Sequence, residues 1–189
     1  MLCHKINPGL ELRLLQPPDA PALFALIDAD RIALRTWLPW VDDTTKVSDS
    51  AKFIAKALKE RVETRAFTCG IWSAGRLVGV IRHNRIDWAN RISFPTYWLV
   101  SSEQGRGLMT QCLQAFINHA FTQLEVGRII VAVATGNTRG QDLPLRLGFK
   151  PVSTLKKAEW LHDHWVDHII YSLVPPSATA AVSAPVAAT

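Results

Sequence analysis

The chain has 189 residues, 48% hydrophobic and 20% charged, and its net charge of +5 favours an anionic partner, whether a nucleotide, a phosphate-rich cofactor or RNA. Its three cysteines, Cys3, Cys69 and Cys112, are too few and too scattered for a disulfide framework or a zinc site, so we expect reduced thiols in a cytoplasmic protein. No apolar run approaches the roughly 18 residues of a membrane span, and none follows Met1 as in a secretory signal, so no membrane partner is expected.

Apolar periodicity predicts a succession of strands and helices. A strand over 10–15 precedes a helix capped by Asp19, and a second helix begins at Ser48. Strands are predicted over 66–73, 77–83 and 96–101, before a long amphipathic helix over 107–124. A strand over 128–135, a helix over 141–147 that ends at Gly148, and strands over 150–155 and 166–173 follow. The composition then loses all charge, so we expect one domain over 1–174 and a disordered tail over 175–189.

The junction between the strand over 96–101 and the long helix contains two glycines, Gly105 and Gly107. A pyrophosphate needs close backbone approach and several N–H donors at a helix N-terminus. Glycines permit that approach, and Arg106 adds a cation. A Gly-x-Gly turn can equally be an ordinary turn, and this one lacks the third glycine of a dinucleotide fold and the Gly-Lys-Ser/Thr of a Walker A loop.

The segment Gln104-Gly105-Arg106-Gly107-Leu108 resembles the pyrophosphate loop of the GNAT N-acetyltransferases, Gln/Arg-x-x-Gly-x-Gly/Ala. Met109 is larger than the last residue of that motif, as is frequent in the RimJ/RimL branch. Further segments resemble this branch in order and spacing, over about residues 10–174: Asp19-Ala20-Pro21-Ala22-Leu23-Phe24, Trp37-Leu38-Pro39-Trp40-Val41-Asp42, Ile86-Asp87-Trp88, Tyr97-Trp98-Leu99, Asn137, Pro144-Leu145-Arg146-Leu147-Gly148-Phe149 and Ala158-Glu159-Trp160-Leu161.

The resemblance implies an α/β (α+β) domain with the GNAT fold, in which helices cover both faces of a mixed, mostly antiparallel twisted sheet. Two central parallel strands, over 96–101 and 128–135, would splay apart and admit acetyl-CoA. Main-chain groups of Leu99 and Val100 would bind the pantetheine arm, and Asn137 would contact the cofactor beyond the second strand. The residues implied for the pyrophosphate are Gln104, Gly105, Arg106, Gly107, Leu108 and Met109.

Two positions that handle protons in related enzymes hold residues that cannot do so. Phe94 stands where many GNAT enzymes have a glutamate base, and Gly140 stands where the branch has a serine that protonates the departing thiolate. The only tyrosines, Tyr97 and Tyr171, do not match the tyrosine that other members use. The resemblance leaves Glu159 as the candidate catalytic base, although it could equally be a surface glutamate.

Four tryptophans, Trp37, Trp40, Trp88 and Trp160, could wall a substrate channel or could pack in the core. Asp42 and Asp43, together with histidines, are expected near the same cleft. The run His162-Asp163-His164, with Asp167 and His168 beyond it, is consistent with a metal site, but a solvated turn is the better interpretation and no metal is expected.

These observations predict transfer of an acetyl group from acetyl-CoA to a primary amine, first of all a peptide N-terminal α-amine of the ribosomal-protein type. The alternatives are a small aminoacyl-nucleotide or antibiotic amine, a catalytically silent acyl-CoA-binding protein, and a basic RNA-surface module. Nothing in nucleic-acid binding requires the glycine loop, so direct nucleic-acid binding is not expected. Because related proteins are often dimers, the resemblance also makes a homodimer one alternative.

Overall fold

The structure, a computed structural model, describes residues 3–176. Its strands are β1 (Cys3–Asn7), β2 (Leu10–Leu14), β3 (Phe67–Ser73), β4 (Arg76–Asp87), β5 (Ile92–Leu99), β6 (Arg128–Ala134), β7 (Lys150–Leu161) and β8 (His164–Leu173). Its helices are α1 (Ala20–Ala29), α2 (Arg31–Arg35), α3 (Val47–Val62), α4 (Leu108–Thr122) and α5 (Thr138–Arg146). The predicted tail over 175–189 lies, after Pro176, outside the described residues.

The eight strands form one sheet in the order β1-β2-β3-β4-β5-β6-β8-β7. Every neighbouring pair is antiparallel except β5 and β6, which are parallel. The expectation of a mixed, mostly antiparallel sheet with one central parallel pair is therefore confirmed.

Helices cover both faces of the sheet because each of the longer helices buries one apolar stripe. The stripe of α4 packs on one face and includes Cys112, Leu113, Phe116, Ile117 and Ala120, all buried as their helical spacing predicts. On the other face α1 and α3 contribute Leu23, Ile27 and Ile54, which pack with Trp72 and Val80. Apolar burial on both sides of the sheet fixes the strands that border the functional site.

Several boundaries differ from the sequence-based expectation. Strand β1 was not predicted, β5 begins at Ile92 rather than at residue 96, and β7 continues to Leu161. Asp19 precedes α1 but does not cap it, because its carboxylate accepts the backbone N–H of Gln16 at 2.7 Å. Helix α5 begins at Thr138, since the side chain of Asn137 caps it there.

A neutral histidine lies in the core beside the parallel pair. His83 of β4 stacks on Phe116 of α4 with ring centroids 4.0 Å apart, and its Nδ1 lies 2.5 Å from the hydroxyl oxygen of Ser93 on β5. Burial, assisted by the nearby His119, lowers the pKa of His83 from its usual 6.5 to about 3. The folded protein therefore holds this ring uncharged at pH values where an unfolded chain would protonate it.

We expect the free energy of unfolding to fall as the pH drops from about 6.5 towards 3, because the unfolded state binds this proton more tightly than the folded state. Urea denaturation should give a value lower by about 2 kcal/mol at pH 4.5 than at pH 7 from this residue alone. The double variant His83→Leu with Ser93→Ala removes both partners of the contact and should lose most of that difference. Equal pH dependence in the two proteins would contradict the assignment, since carboxylates contribute alike to both.

Candidate active site

The parallel ladder between β5 and β6 is short. Ile92 pairs with Arg128 and Ser93 with Ile129, and no further pair joins the two strands within the described residues. Beyond this point a cavity of about 820 Å³ opens, lined by residues 95–98 of β5 and 131–134 of β6. The splay implied by the family resemblance is thus present, and it begins after Ser93, near the start of β5.

Backbone groups of β5 face this gap at alternate residues. The N–H of Val100 donates to the carbonyl of Val78 at 3.1 Å, so even-numbered residues of β5 bond to β4 and odd-numbered residues point the other way. The peptide groups of Tyr97 and Leu99 consequently face the gap. The carbonyl of Val100 accepts the N–H of Glu103 at 3.1 Å, so both of its peptide groups are engaged within the chain. The N–H of Leu99 is thus left facing the gap, and the binding of a pantetheine arm by Leu99 and Val100 stays a prediction.

The glycine loop has the backbone form that close approach of an anion requires. Gly105 and Gly107 adopt φ values of +77° and +74°, in the left-handed region that side chains disfavour. A Cβ added at either glycine would have no atom within 4 Å, so the space beside both residues is open. Gly107 immediately precedes α4, whose first N–H groups are turned towards the loop. These residues fit a pyrophosphate.

A buried carboxylate, which sequence reasoning missed, holds the loop. Glu103 is 8% exposed and accepts hydrogen bonds from Arg106 and, at 3.4 Å, from Arg76. Arg106 is therefore tied to the loop by an ion pair, although its side chain is 59% exposed. Gln104 donates from Nε2 to the carbonyl of Leu99 at 2.9 Å, which ties the loop to the end of β5.

The remaining loop residues play a packing role with their side chains. Leu108 and Met109 begin α4 and are partly buried against the core of the sheet. Only their main-chain groups lie at the helix N-terminus, where a phosphate would be bound. The larger Met109 is thus accommodated by the core and does not obstruct the loop.

The turn from β6 into α5 forms the opposite wall of the gap. Asn137 caps α5, its Oδ1 accepting the N–H of Gly140 at 2.9 Å, and both residues line the cavity. The Nε2 of Gln141 donates to the carbonyls of Ala134 and Thr135 at 3.1 and 2.8 Å. These bonds fix the turn in place next to the gap.

The far end of the cavity carries the candidate base. Glu159 lies on β7, within the strand rather than in a hairpin connection, and the Nε2 of His168 on β8 donates to its carboxylate at 3.2 Å. Both side chains line the cavity. A bulge between Leu155 and Glu159 sets the register that brings the two together. The sequence predicts histidines near the cleft but does not single out His168 as the partner of Glu159, since strand register is not readable from the chain.

Aromatic side chains wall the same end, but only some of the expected ones. Trp37, Trp40 and Trp98 line the cavity, and the rings of Trp40 and Trp98 lie 5.9 Å apart between centroids. Trp88 is 43% exposed, donates to the carbonyl of Thr64 at 2.7 Å and is not among the lining residues. Trp160 is also exposed and packs edge-on against Trp165.

The neighbouring residues Asp42 and Asp43 lie in different surroundings. Asp43 lines the cavity, whereas Asp42 lies outside the lining and forms an ion pair with Arg35 at 2.7 Å. The hydrogen bond from Arg35 lowers the pKa of Asp42. The ring of His162 donates to the carbonyl of Arg35 at 2.8 Å and faces Asp42, so the tip of the β7–β8 hairpin is bonded to the segment that carries both aspartates.

Within residues 3–176, no group of three or more His, Cys, Asp or Glu side chains is arranged so that it could hold a metal ion. Over the same part of the chain, every helix is too short or too polar to cross a membrane.

A splayed parallel pair with a glycine loop at a helix N-terminus is the arrangement that the family resemblance implies for an acyl-CoA-dependent transferase. Residues 9–150 match the family model for the acetyltransferase (GNAT) domain. The ribosomal-protein-serine acetyltransferase of Escherichia coli (strain K12) is 30% identical over 172 residues, which cover 90% of this chain and 95% of that protein. The [Ribosomal protein uS5]-alanine N-acetyltransferase of the same organism is 25% identical over 174 residues, 90% of each chain.

Solved structures show the same architecture over nearly the whole chain. The microcin C7 self-immunity acetyltransferase MccE, in complex with acetyl-CoA and AMP, has a TM-score of 0.87 and 28% identity, covering 90% of this chain and 95% of its own. RimL, a ribosomal α-N-protein acetyltransferase in complex with coenzyme A, has a TM-score of 0.88 and 25% identity, covering 91% and 97%. The chain belongs to the GNAT family and is an N-acetyltransferase of the RimJ/RimL type, with acetyl-CoA as its cosubstrate.

Substitution of Gly107 by Val should weaken acetyl-CoA binding at least about tenfold, because the side chain would enter the open space through which the pyrophosphate approaches. Isothermal calorimetry with acetyl-CoA measures the effect. Gly148→Val is the matched control: Gly148 follows α5 with a φ of +83°, and an added Cβ would meet only Leu173, at 4.0 Å. The two variants share the backbone strain, so equal affinities in both would exclude the loop as the pyrophosphate site.

Proposed function

We propose that this enzyme acetylates the N-terminal α-amine of a protein, of the ribosomal-protein type. The observation that carries the proposal is the Glu159–His168 pair in the cavity beyond the splayed strands. Support comes also from full-length relatives that are named as ribosomal-protein N-acetyltransferases. The homodimer implied by the family resemblance stays a prediction.

Glu159 is suited to take a proton from the attacking amine. The imidazole of His168 holds one carboxylate oxygen, Oε2, and leaves Oε1 without a hydrogen-bond partner among the described residues. The side chain of Glu159 is 36% exposed and that of His168 is 17% exposed, so the carboxylate can reach the cavity while the ring stays fixed behind it. His168 is thus a positioning residue, and Glu159 is the residue that would touch the substrate.

The chemistry of this pair favours an α-amine over a lysine side chain. An α-amine has a pKa of about 7.7–8.0, so roughly a third of it is neutral at pH 7.5, whereas a lysine of pKa about 10.4 is only about 0.1% neutral. A carboxylate base can therefore serve the first amine, of which a large share is already neutral, but not the second, which arrives almost wholly protonated. The carboxylates of Asp43 and Glu159 also attract a terminal ammonium group as it enters.

A small aminoacyl-nucleotide amine is the second candidate acceptor. Trp37, Trp40 and Trp98 offer aromatic surface at the acceptor end, and aromatic rings bind planar bases by stacking. MccE, which shares the architecture, was solved with AMP bound. An aminoacyl nucleotide also presents an α-amine, so the same base would serve it.

Incubation with acetyl-CoA and a panel of peptides should separate these candidates by mass spectrometry. Peptides with a free Ser or Ala N-terminus should gain one acetyl group at the α-amine, and N-terminally blocked peptides that contain Lys should gain none. Acetylation of aminoacyl-adenylate analogues with no reaction of any peptide would select the second candidate. Reaction at Lys alone would contradict both.

Glu159→Gln should lower kcat by about 10²–10³-fold with the acceptor so identified, because the amide cannot take the proton. Affinity for acetyl-CoA should be unchanged, since Glu159 lines the cavity and the residues of the glycine loop do not. Stopped assays at saturating substrate measure kcat, and Glu125→Gln, an exposed position after α4, is the control. An unchanged kcat in Glu159→Gln would transfer the role to Asp43 or to water.

A further inference from the structure

Position 140 is a glycine, and the side chain of another residue fills the space in which a side chain at this position would lie. A Cβ added at Gly140 would lie 2.6 Å from Nδ2, 2.7 Å from Cγ and 2.8 Å from Oδ1 of Asn137. The whole amide of Asn137 therefore occupies the volume that a serine would take at this position. Gly140 is required for this arrangement, because any side chain there would displace the amide.

The hydrogen bonds of Asn137 settle which amide atom faces the gap. The N–H of Gly140 needs an acceptor and takes Oδ1 at 2.9 Å. The Nδ2 group, which carries two N–H donors, has no acceptor among residues 3–176. Because Asn137 and Gly140 both line the cavity, these donors are available to a group bound between β5 and β6.

The surroundings favour a developing negative charge at this place. Asn137 stands at the N-terminus of α5, whose unpaired N–H groups and dipole stabilise anions. Gln141 clamps the preceding turn through the carbonyls of Ala134 and Thr135, so the amide is held before any ligand arrives. A fixed donor of this kind stabilises charge without a cost of reorganisation.

We propose that Nδ2 of Asn137 donates a hydrogen bond to the sulfur that leaves during acetyl transfer, in place of a hydroxyl at position 140. The amine nitrogen forms a bond to the acetyl carbon, the carbon–sulfur bond breaks, and the sulfur keeps the electron pair as a thiolate. Glu159 takes the proton lost by the amine, and the thiolate receives a proton from water after release. Asn137 transfers no proton itself. This inference rests on the acetyl transfer and not on which amine accepts the group.

The decisive variant is Asn137→Asp. Aspartate caps a helix as well as asparagine does, so the bond from the N–H of Gly140 remains, while the two N–H donors are lost. With bound coenzyme A, whose thiol absorbs in the ultraviolet when ionised, titration reports the thiol pKa directly. In the native protein that pKa should lie about 1 to 2 below the value for free coenzyme A, and in Asn137→Asp it should rise to the free value or above it.

The same variant should lower kcat by about 10–100-fold with little change in the KM for acetyl-CoA and in the melting temperature. The thiol titration needs no acceptor, so it tests Asn137 even if every peptide in the panel is refused. An unperturbed thiol pKa in the native protein would overturn the role of Asn137. A raised KM with an unchanged kcat would also overturn it and would reduce Asn137 to a contact of the cofactor arm.

Two substitutions, made singly and together, distinguish the loss of the hydrogen-bond donor from the loss of the volume that the amide of Asn137 fills. Asn137→Ala empties the volume beside Gly140, and Gly140→Ser then places a hydroxyl there. Asn137→Ala alone should lose about 10–100-fold in kcat, and the double variant should recover most of it, whereas Gly140→Ser alone should gain nothing because its Cβ meets the amide. A double variant no faster than Asn137→Ala, or a faster Gly140→Ser, would contradict the proposal.

Discussion

The parallel hydrogen-bond ladder between β5 and β6 ends at Ser93, and the gap that the functional groups border depends on that ending. Odd-numbered residues of β5 face β6, so the next N–H needed to continue the ladder would belong to residue 95, which is proline and has none. Antiparallel pairing of β5 with β4 continues to Leu99 and holds the strand in place. The strands can therefore separate without loss of the sheet, and the peptide groups of Tyr97 and Leu99 are left facing the gap.

The two ends of the gap have opposite electrostatic character. At one end Gly105 and Gly107 open the backbone at the N-terminus of α4, and Arg106 is held there by the buried Glu103, which suits an anionic cofactor. At the other end Asp43 and Glu159 present carboxylates to an incoming ammonium group. A donor and an acceptor that enter from these ends meet between the strands, beside α5. Proximity of this kind supplies a large part of the rate of a bimolecular transfer.

Local patterns predicted those parts of the molecule that depend on neighbours in the chain. The apolar stripe of α4 and the glycines of the loop were recognised, because helical spacing and backbone freedom are properties of short segments. The pairing of Glu159 with His168 could not be found in this way, since it depends on the register of β7 with β8 and on a bulge within it. The sequence indicates that Gly140 lacks the serine hydroxyl of related enzymes. Only the structure shows that the amide of Asn137 fills the space in which that side chain would lie.

As the family resemblance implies, we expect the cofactor arm to bind as an additional strand along the open edge of β5. Residue-resolved amide exchange by NMR tests it most directly. The amides of Trp98 and Val100 face β4 and should exchange slowly with or without acetyl-CoA. Those of Tyr97 and Leu99 should exchange faster in the free protein, and at least the Leu99 amide should slow markedly when acetyl-CoA is added. Binding of acetyl-CoA that leaves exchange at both Tyr97 and Leu99 unchanged would contradict the account.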